Sequence, residues 1–128
     1  MTRRAAVVLV VAASVAAVAP VPAGLVERWY STLVYPAIQR VLTTVSNTVP
    51  FALFDLLLVA TICAFAIAAC RHLRTLGWRR GGLRLFGALI LTAAASYLVF
   101  LGTWGLNYRR VPISEKVAFD AARITWPP

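Results

Sequence analysis

Acidic residues are scarce in this sequence, which has four of them against 13 lysines and arginines and therefore a formal charge of +9. Charged residues make up 13% of the chain, about half of the ~25% that is usual in soluble domains. A nucleic-acid-binding protein would carry such charge on one face of a soluble fold, whereas here the basic residues flank long apolar runs. We therefore expect a membrane protein whose main partner is the lipid bilayer, with no nucleic-acid partner.

Residues that build active sites and metal centres are also few. The single histidine, His72, lies in a basic segment, and the sequence contains no HExxH zinc motif and no glycine-rich phosphate loop. Cys63 and Cys70 lie in one apolar run, about 10 Å apart along a helix, which is too far for a disulfide. We expect no cofactor, no metal and no catalytic residue, and enzymatic activity is not favoured.

Apolar residues, in contrast, form 61% of the sequence. They concentrate in three runs, at about 5–23, 51–70 and 85–106, each near the ~20 residues that cross a bilayer as a helix. The first run also resembles a signal peptide with a cleavage site after Ala23, but a retained span is favoured because further spans follow. The fold class predicted is all-α and integral to the membrane, with three transmembrane helices plus one or two short amphipathic helices.

A fourth segment, at about 37–48, has the spacing of an amphipathic helix. Ile38, Val41, Leu42 and Val45 recur at helical intervals, and polar residues lie between them. This helix is expected to lie on the membrane or on partner protein. Residues 1–110 thus form a three-span membrane domain, and residues 111–128 a short extracytoplasmic segment with a predicted helix at 115–124.

The distribution of arginine predicts the orientation. Residues 71–84 contain five arginines and a Gly81-Gly82 pair, which predicts a short basic loop with a turn at the glycines. Short basic loops stay in the cytoplasm, and Arg3 and Arg4 would lie on the same side. We expect a multi-pass protein of the plasma or inner membrane, with a cytoplasmic N-terminus and an extracytoplasmic C-terminus.

This topology places several polar residues at the same outer depth. A carboxylate inside a span is costly and usually pairs or faces protein, so Asp55 is expected to pair with Arg109 or Arg110. An ion pair that locks the spans together is favoured over a site for a proton or an anion. The candidate cluster consists of Glu27, Asp55, Asn107, Tyr108, Arg109 and Arg110.

Small residues recur every fourth position in the second and third runs. Such faces let helices approach closely in lipid. The predicted packing faces are Ala60, Ala64 and Ala68 in one run, and Ala88, Thr92 and Ser96 in the other.

Several short motifs appear in an order that resembles a known family. They are Glu27-Arg28-Trp29-Tyr30, Val49-Pro50-Phe51, Phe54-Asp55 and Trp104-Gly105-Leu106-Asn107-Tyr108-Arg109. Together they resemble the N-terminal membrane region of an uncharacterised bacterial multi-pass family, a domain of unknown function, over roughly residues 25–112. Longer members of that family carry an extracytoplasmic domain with HExxH, as in zinc metallopeptidases.

The resemblance implies a specific role. Because this sequence has no HExxH, it would be the non-catalytic membrane-anchor region of a metallopeptidase-like membrane protein, lacking the catalytic domain. The alternative is a small membrane subunit that binds a partner membrane protein through its small-residue helix faces.

Overall fold

A computed structural model of the chain describes residues 2–50 and 52–116, and all regular structure in them is helical. The long helices are α1 (Arg3–Val18), α2 (Ala23–Ser46) and α3 (Leu53–Thr103). A 3-10 turn (Gly105–Arg109) and the short helix α4 (Ile113–Lys116) follow. The predicted all-α class is confirmed, while most of the helix predicted at 115–124 lies outside the described residues.

Helix α1 is shorter than the predicted first span. Thr2 caps its N-terminal end, because the Thr2 hydroxyl accepts a hydrogen bond from the Ala5 amide at 3.3 Å. It ends at Val18, because Pro20 and Pro22 offer no amide hydrogen for another turn. Its 16 residues measure about 24 Å at 1.5 Å per residue, so the span does not continue as helix to residue 23.

Helix α2 lies at 108° to α1. Its middle part, Val26–Val34, is wound as a π-helix, and its last part, Tyr35–Ser46, corresponds to the amphipathic helix predicted at 37–48. Among the described residues, all side-chain bonds from α2 to distant parts of the chain start in the π-helical part. This widened segment therefore fixes α2 to the rest of the molecule.

Helix α3 runs over 51 residues and departs from helical geometry at Gly77 (φ 71°, ψ 171°). Only glycine adopts this combination without strain. The helical arms 53–76 and 78–103 meet there. The segment 71–84, predicted as a basic loop, contains the reversal of the chain, but it is helical on both sides of Gly77 because arginine is a good helix former.

The turn therefore lies at Gly77 and not at Gly81-Gly82. Gly81 instead allows the two arms to touch, since a Cβ atom on it would lie 2.7 Å from the carbonyl oxygen of His72. In a straight helix these two residues would be about 13 Å apart along the axis. The chain thus folds back sharply at Gly77.

Helix α1 packs along the second arm of α3. An apolar groove is lined from both sides, by Ala6, Val7, Val10 and Val11 of α1 and by Gly87, Ile90 and Leu91 of α3. Buried Ala13 and Ala94 belong to the same two elements. The two helices run in the same direction, because the N-terminal half of α1 lies beside residues 87–91 and its C-terminal end lies beside Arg109.

The predicted small-residue faces are not the ones that pack within the described chain. Ala88 and Ser96 are exposed, and Thr92 is half-buried, because α1 contacts the neighbouring Gly87–Leu91 side of the helix. Ala60 and Ala64 of the first arm are exposed as well, and Ala68 is half-buried. These faces thus remain open to lipid or to another protein.

By length and apolarity, α3 is the helix of the described chain that is clearly able to cross a membrane. The bent pair of α1 and α2 would be a second crossing if it formed one span. The three separate spans predicted from the sequence are therefore not present as three long helices, since α1 is short and α3 is continuous apart from Gly77.

Candidate functional site

Polar side chains gather where the π-helical part of α2 meets the C-terminal end of α3. The Tyr30 hydroxyl donates to the carbonyl oxygen of Gly102 at 2.9 Å, and the Ser31 hydroxyl donates to Oδ1 of Asn107 at 2.7 Å. Tyr30 is only 8% exposed. We call this group the clasp and define it as Glu27, Tyr30, Ser31, Asn107, Arg109 and Lys116.

The local geometry of α3 supplies the acceptor for Tyr30. The helix ends at Thr103, so the carbonyl of Gly102 has no partner one turn further along the chain and is available to a side chain. Gly105, which is buried, lets the following 3-10 turn pack tightly, because a Cβ atom there would lie 2.9 Å from the Phe100 ring. The turn then presents Asn107 and Arg109 to α2 and α1.

Arg109 closes the C-terminal end of α1. Its guanidinium donates to the carbonyl oxygens of Ala16 (3.1 Å), Ala17 (3.2 Å) and Ala19 (3.1 Å). The last carbonyls of any helix lack intrahelical partners. The carbonyl of Ala16 would normally accept from residue 20, but Pro20 has no amide hydrogen. Arg109 therefore replaces the donor that Pro20 cannot provide to Ala16 and also bonds the carbonyls of Ala17 and Ala19.

The electrostatics of this contact are favourable as well. A helix carries a partial negative charge at its C-terminal end, and a cation there stabilises it by about 0.3–1 kcal/mol, or about 2 kcal/mol when partly buried. Arg109 is half-buried, and its bonds to Ala16 and Ala19 are partly shielded from solvent. The positive charge of the guanidinium is thus stabilised by hydrogen bonds to helix carbonyls, and no described carboxylate forms an ion pair with it.

Glu27 completes the clasp from the π-helical segment. One of its carboxylate oxygens forms an ion pair with the Lys116 ammonium on α4. The other oxygen is buried and has no hydrogen-bond partner within the described part of the chain. The pair ties the start of the C-terminal segment to α2.

The structure brings together only part of the predicted cluster. Glu27, Asn107 and Arg109 belong to the clasp, whereas Tyr108 and Arg110 are exposed and line an adjacent groove. Asp55 is exposed at the start of α3 and forms no ion pair with any described residue. Among the described residues, Asp55 pairs with neither Arg109 nor Arg110: the Arg109 guanidinium bonds the α1 carbonyls, and the Arg110 side chain is exposed and makes no ion pair.

Sequence reasoning missed Tyr30, Ser31 and Lys116 as site residues. The signal that could have revealed the role of Arg109 is Pro20, which leaves a carbonyl of the preceding helix without a donor. A cation near the C-terminal end of that helix is a suitable substitute.

The contacts observed within the clasp are hydrogen bonds and one ion pair. Within residues 2–50 and 52–116, no three His, Cys, Asp or Glu side chains lie close enough to hold a metal ion. The groups present are hydroxyls, an amide, a guanidinium bonded to backbone and a Glu–Lys pair. Such an arrangement holds three helices together.

Most of the chain is similar to a known protein family. Residues 30–125 fit the family model described as "Protein of unknown function (DUF3810)". No curated protein and no solved structure matches the chain. The matched range covers three quarters of the sequence and includes the residues Tyr30, Ser31, Asn107 and Arg109 of the clasp, so the expected membership of an uncharacterised family is confirmed. The chain belongs to the DUF3810 family of proteins of unknown function.

Proposed function

We propose that the chain is a non-catalytic, multi-pass membrane anchor. The observation that carries this proposal is the exposure of the first arm of α3. No residue of its most apolar stretch is buried, and large side chains such as Leu57 (66% exposed) and Ile62 (59%) face outward. In water, so much exposed apolar surface would drive aggregation, whereas lipid solvates it.

The proposed anchor has three crossings. Each arm of α3 is long enough to cross ~30 Å of hydrocarbon at 1.5 Å per residue, and the fold-back at Gly77 makes the arms opposite in direction. Helix α1 runs parallel to the second arm and would form the remaining crossing with the extended residues 19–22. Helix α2, at 108° to α1, would lie along the membrane surface.

The proposed orientation has the Gly77 turn in the cytoplasm and the clasp outside. The five arginines of residues 71–84 lie on both sides of this turn, and short basic connections remain cytoplasmic. The bonds from Arg109 to Ala16, Ala17 and Ala19 support a retained α1, because cleavage after Ala23 would remove all three acceptors.

The anchor would hold a metallopeptidase-like domain on the extracytoplasmic side. The resemblance to longer proteins with HExxH suggests this partner, and the Glu27–Lys116 pair would fix the chain where it leaves the membrane. Reading the gene beyond the codon for Pro128 tests the idea. An HExxH motif in frame supports the anchor, and a stop codon together with a co-purifying membrane protein supports the alternative.

The alternative is a small subunit that binds another membrane protein. One observation favours it, namely that Ala60 and Ala64 are exposed and Ala68 only half-buried on the first arm, which carries large apolar side chains elsewhere. Small-residue faces allow close helix packing in lipid. Cross-linking from a cysteine at position 64 in membranes would distinguish a protein neighbour from lipid alone.

Reporter fusions test the topology. A reporter active only outside the cytoplasm should work after Pro128 and fail after Gly77, and a cytoplasmic reporter should show the reverse. Extraction of membranes at alkaline pH should leave the chain in the pellet. Cytoplasmic activity of the fusion after Pro128, or release at alkaline pH, would contradict the proposal.

A further inference from the structure

The two arms of α3 line an open cavity beside the Gly77 turn. Its volume is about 680 Å³, and its polar wall consists of Arg71, His72 and Thr75 from the first arm and Arg84 from the second. Because the two arms approach each other closely at Gly81, Arg71 and Arg84 line the same cavity although they are 13 residues apart in the sequence. None of the clasp residues takes part, so this is a separate feature of the fold.

The positive charge of this cavity is not compensated. The sequence contains no acidic residue between Asp55 and Glu115. Within the described residues, the side chains of Arg71 and Arg84 make no ion pair and no hydrogen bond. Two guanidinium groups that share a cavity without an acid favour an anion, and phosphate is the group that arginine binds best through paired N–H donors.

The part of the cavity farther from the Gly77 turn is apolar. It is formed by Ala64, Ile67 and Ala68, which precede Arg71 on the same arm and lead away from the turn. Ile67 is 59% exposed. A free phosphate would leave this wall in contact with water, whereas an acyl chain would cover it. The cavity therefore combines an anion site with an adjoining apolar track.

We infer that this cavity binds an anionic phospholipid, with the phosphate between Arg71 and Arg84 and an acyl chain along Ala64, Ile67 and Ala68. The inference rests on the proposed function, because a membrane-spanning hairpin would place the arginines at headgroup depth and the apolar wall among the acyl chains. Basic cavities between helices at the cytoplasmic surface are suited to anionic lipid headgroups.

Titration of the purified full chain in detergent tests the inference. Phosphatidylglycerol and phosphatidylcholine with identical acyl chains would be added, and bound lipid counted by native mass spectrometry. We expect phosphatidylglycerol to bind more tightly. The double variant R71Q/R84Q should weaken its binding about 30-fold, since each arginine contributes about 1 kcal/mol and 1.4 kcal/mol is tenfold.

The double variant R79Q/R80Q is the matched control, because it removes the same charge from residues that do not line the cavity. It should keep the affinity of the wild type. Ala68→Phe should weaken lipid binding without any change of charge, because it fills the apolar end. If both double variants weaken phosphatidylglycerol binding equally, the lipid is attracted by the overall positive charge and not by the cavity. That result would overturn the inference.

Two further measurements separate the remaining outcomes. Inorganic phosphate, added as a competitor, should not displace phosphatidylglycerol, and displacement would show a phosphate site without a lipid role. After extraction at alkaline pH, the same variants should remain in the membrane pellet. If the wild type itself is extracted, the proposed function fails, whereas integration without lipid selectivity contradicts only the present inference.

Discussion

Loss of the Arg109 guanidinium should destabilise the fold more than loss of any other single cation. Arg109→Ala removes the donors to Ala16, Ala17 and Ala19. An acceptor left unsatisfied in a shielded site costs about 1–3 kcal/mol. Two of the three bonds are partly shielded and water can reach the third, so we expect the free energy of unfolding to fall by about 2–4 kcal/mol.

Reversible unfolding of the purified chain in mixed detergent micelles, followed by circular dichroism, measures this change. Arg110→Ala is the matched control, because Arg110 is exposed and its side chain makes no hydrogen bond among the described residues. Its replacement should change the free energy of unfolding by less than about 0.5 kcal/mol.

Replacement of Pro20 adds a second test of the same contact. Pro20→Ala restores an amide hydrogen one turn beyond Ala16, so the carbonyl of Ala16 regains a backbone donor. In the Pro20→Ala background, Arg109→Ala should lower the free energy of unfolding by less than it does in the wild type. An equal cost in both backgrounds, or equal effects of Arg109→Ala and Arg110→Ala, would refute the reasoning.

The remaining predictions concern the clasp and the hairpin. Tyr30→Phe should lower the free energy of unfolding by about 1 kcal/mol because it removes the bond to the α3 carbonyl, while Tyr108→Phe, at a position 75% exposed, should have no effect. Gly77→Ala should lower the free energy of unfolding by about 1–3 kcal/mol, because alanine is strained at the positive φ of residue 77. Gly81→Ala should separate the arms and lower the melting temperature, whereas Gly82→Ala, with open space around it, should not. Equal effects within either control pair would contradict these assignments.

A double-mutant cycle distinguishes the contact found in the structure from the one expected from the sequence. Asp55 and Arg109 should behave additively, within about 0.3–0.5 kcal/mol, because they share no contact. Arg109 and Pro20 should be coupled. The expected ion pair rested on membrane depth alone, and depth does not determine the lateral distance between two helices.

The composition and periodicity of the sequence were sufficient to predict an all-helical chain and the amphipathic part of α2. They also located the apolar runs that became α1 and the arms of α3. They could not locate the turn, because both Gly77 and the Gly81-Gly82 pair are compatible with one. Only the backbone shows that Gly77 takes the positive φ and that Gly81 provides close contact.

The site was harder to predict for a related reason. Glu27, Asn107 and Arg109 were identified as polar residues near the ends of spans, but their partners are backbone carbonyls and residues such as Ser31 and Lys116. The amino-acid composition does not reveal which backbone carbonyls accept hydrogen bonds from side chains. Likewise, the packing face of α3 is displaced by one residue from the predicted Ala88 stripe, because α1 lies against the side of the helix that carries Gly87, Ile90 and Leu91.

Labelling of single cysteines tests the central claim, a three-crossing anchor with its turn in the cytoplasm. In a background with Cys63→Ala and Cys70→Ala, Trp78→Cys reports on the turn, where the side chain is 83% exposed, and Thr48→Cys reports on the end of α2. A membrane-impermeant maleimide should label position 48 in intact cells and position 78 only in inverted vesicles. Labelling of position 78 from outside, or of both positions from the same side, would contradict the account.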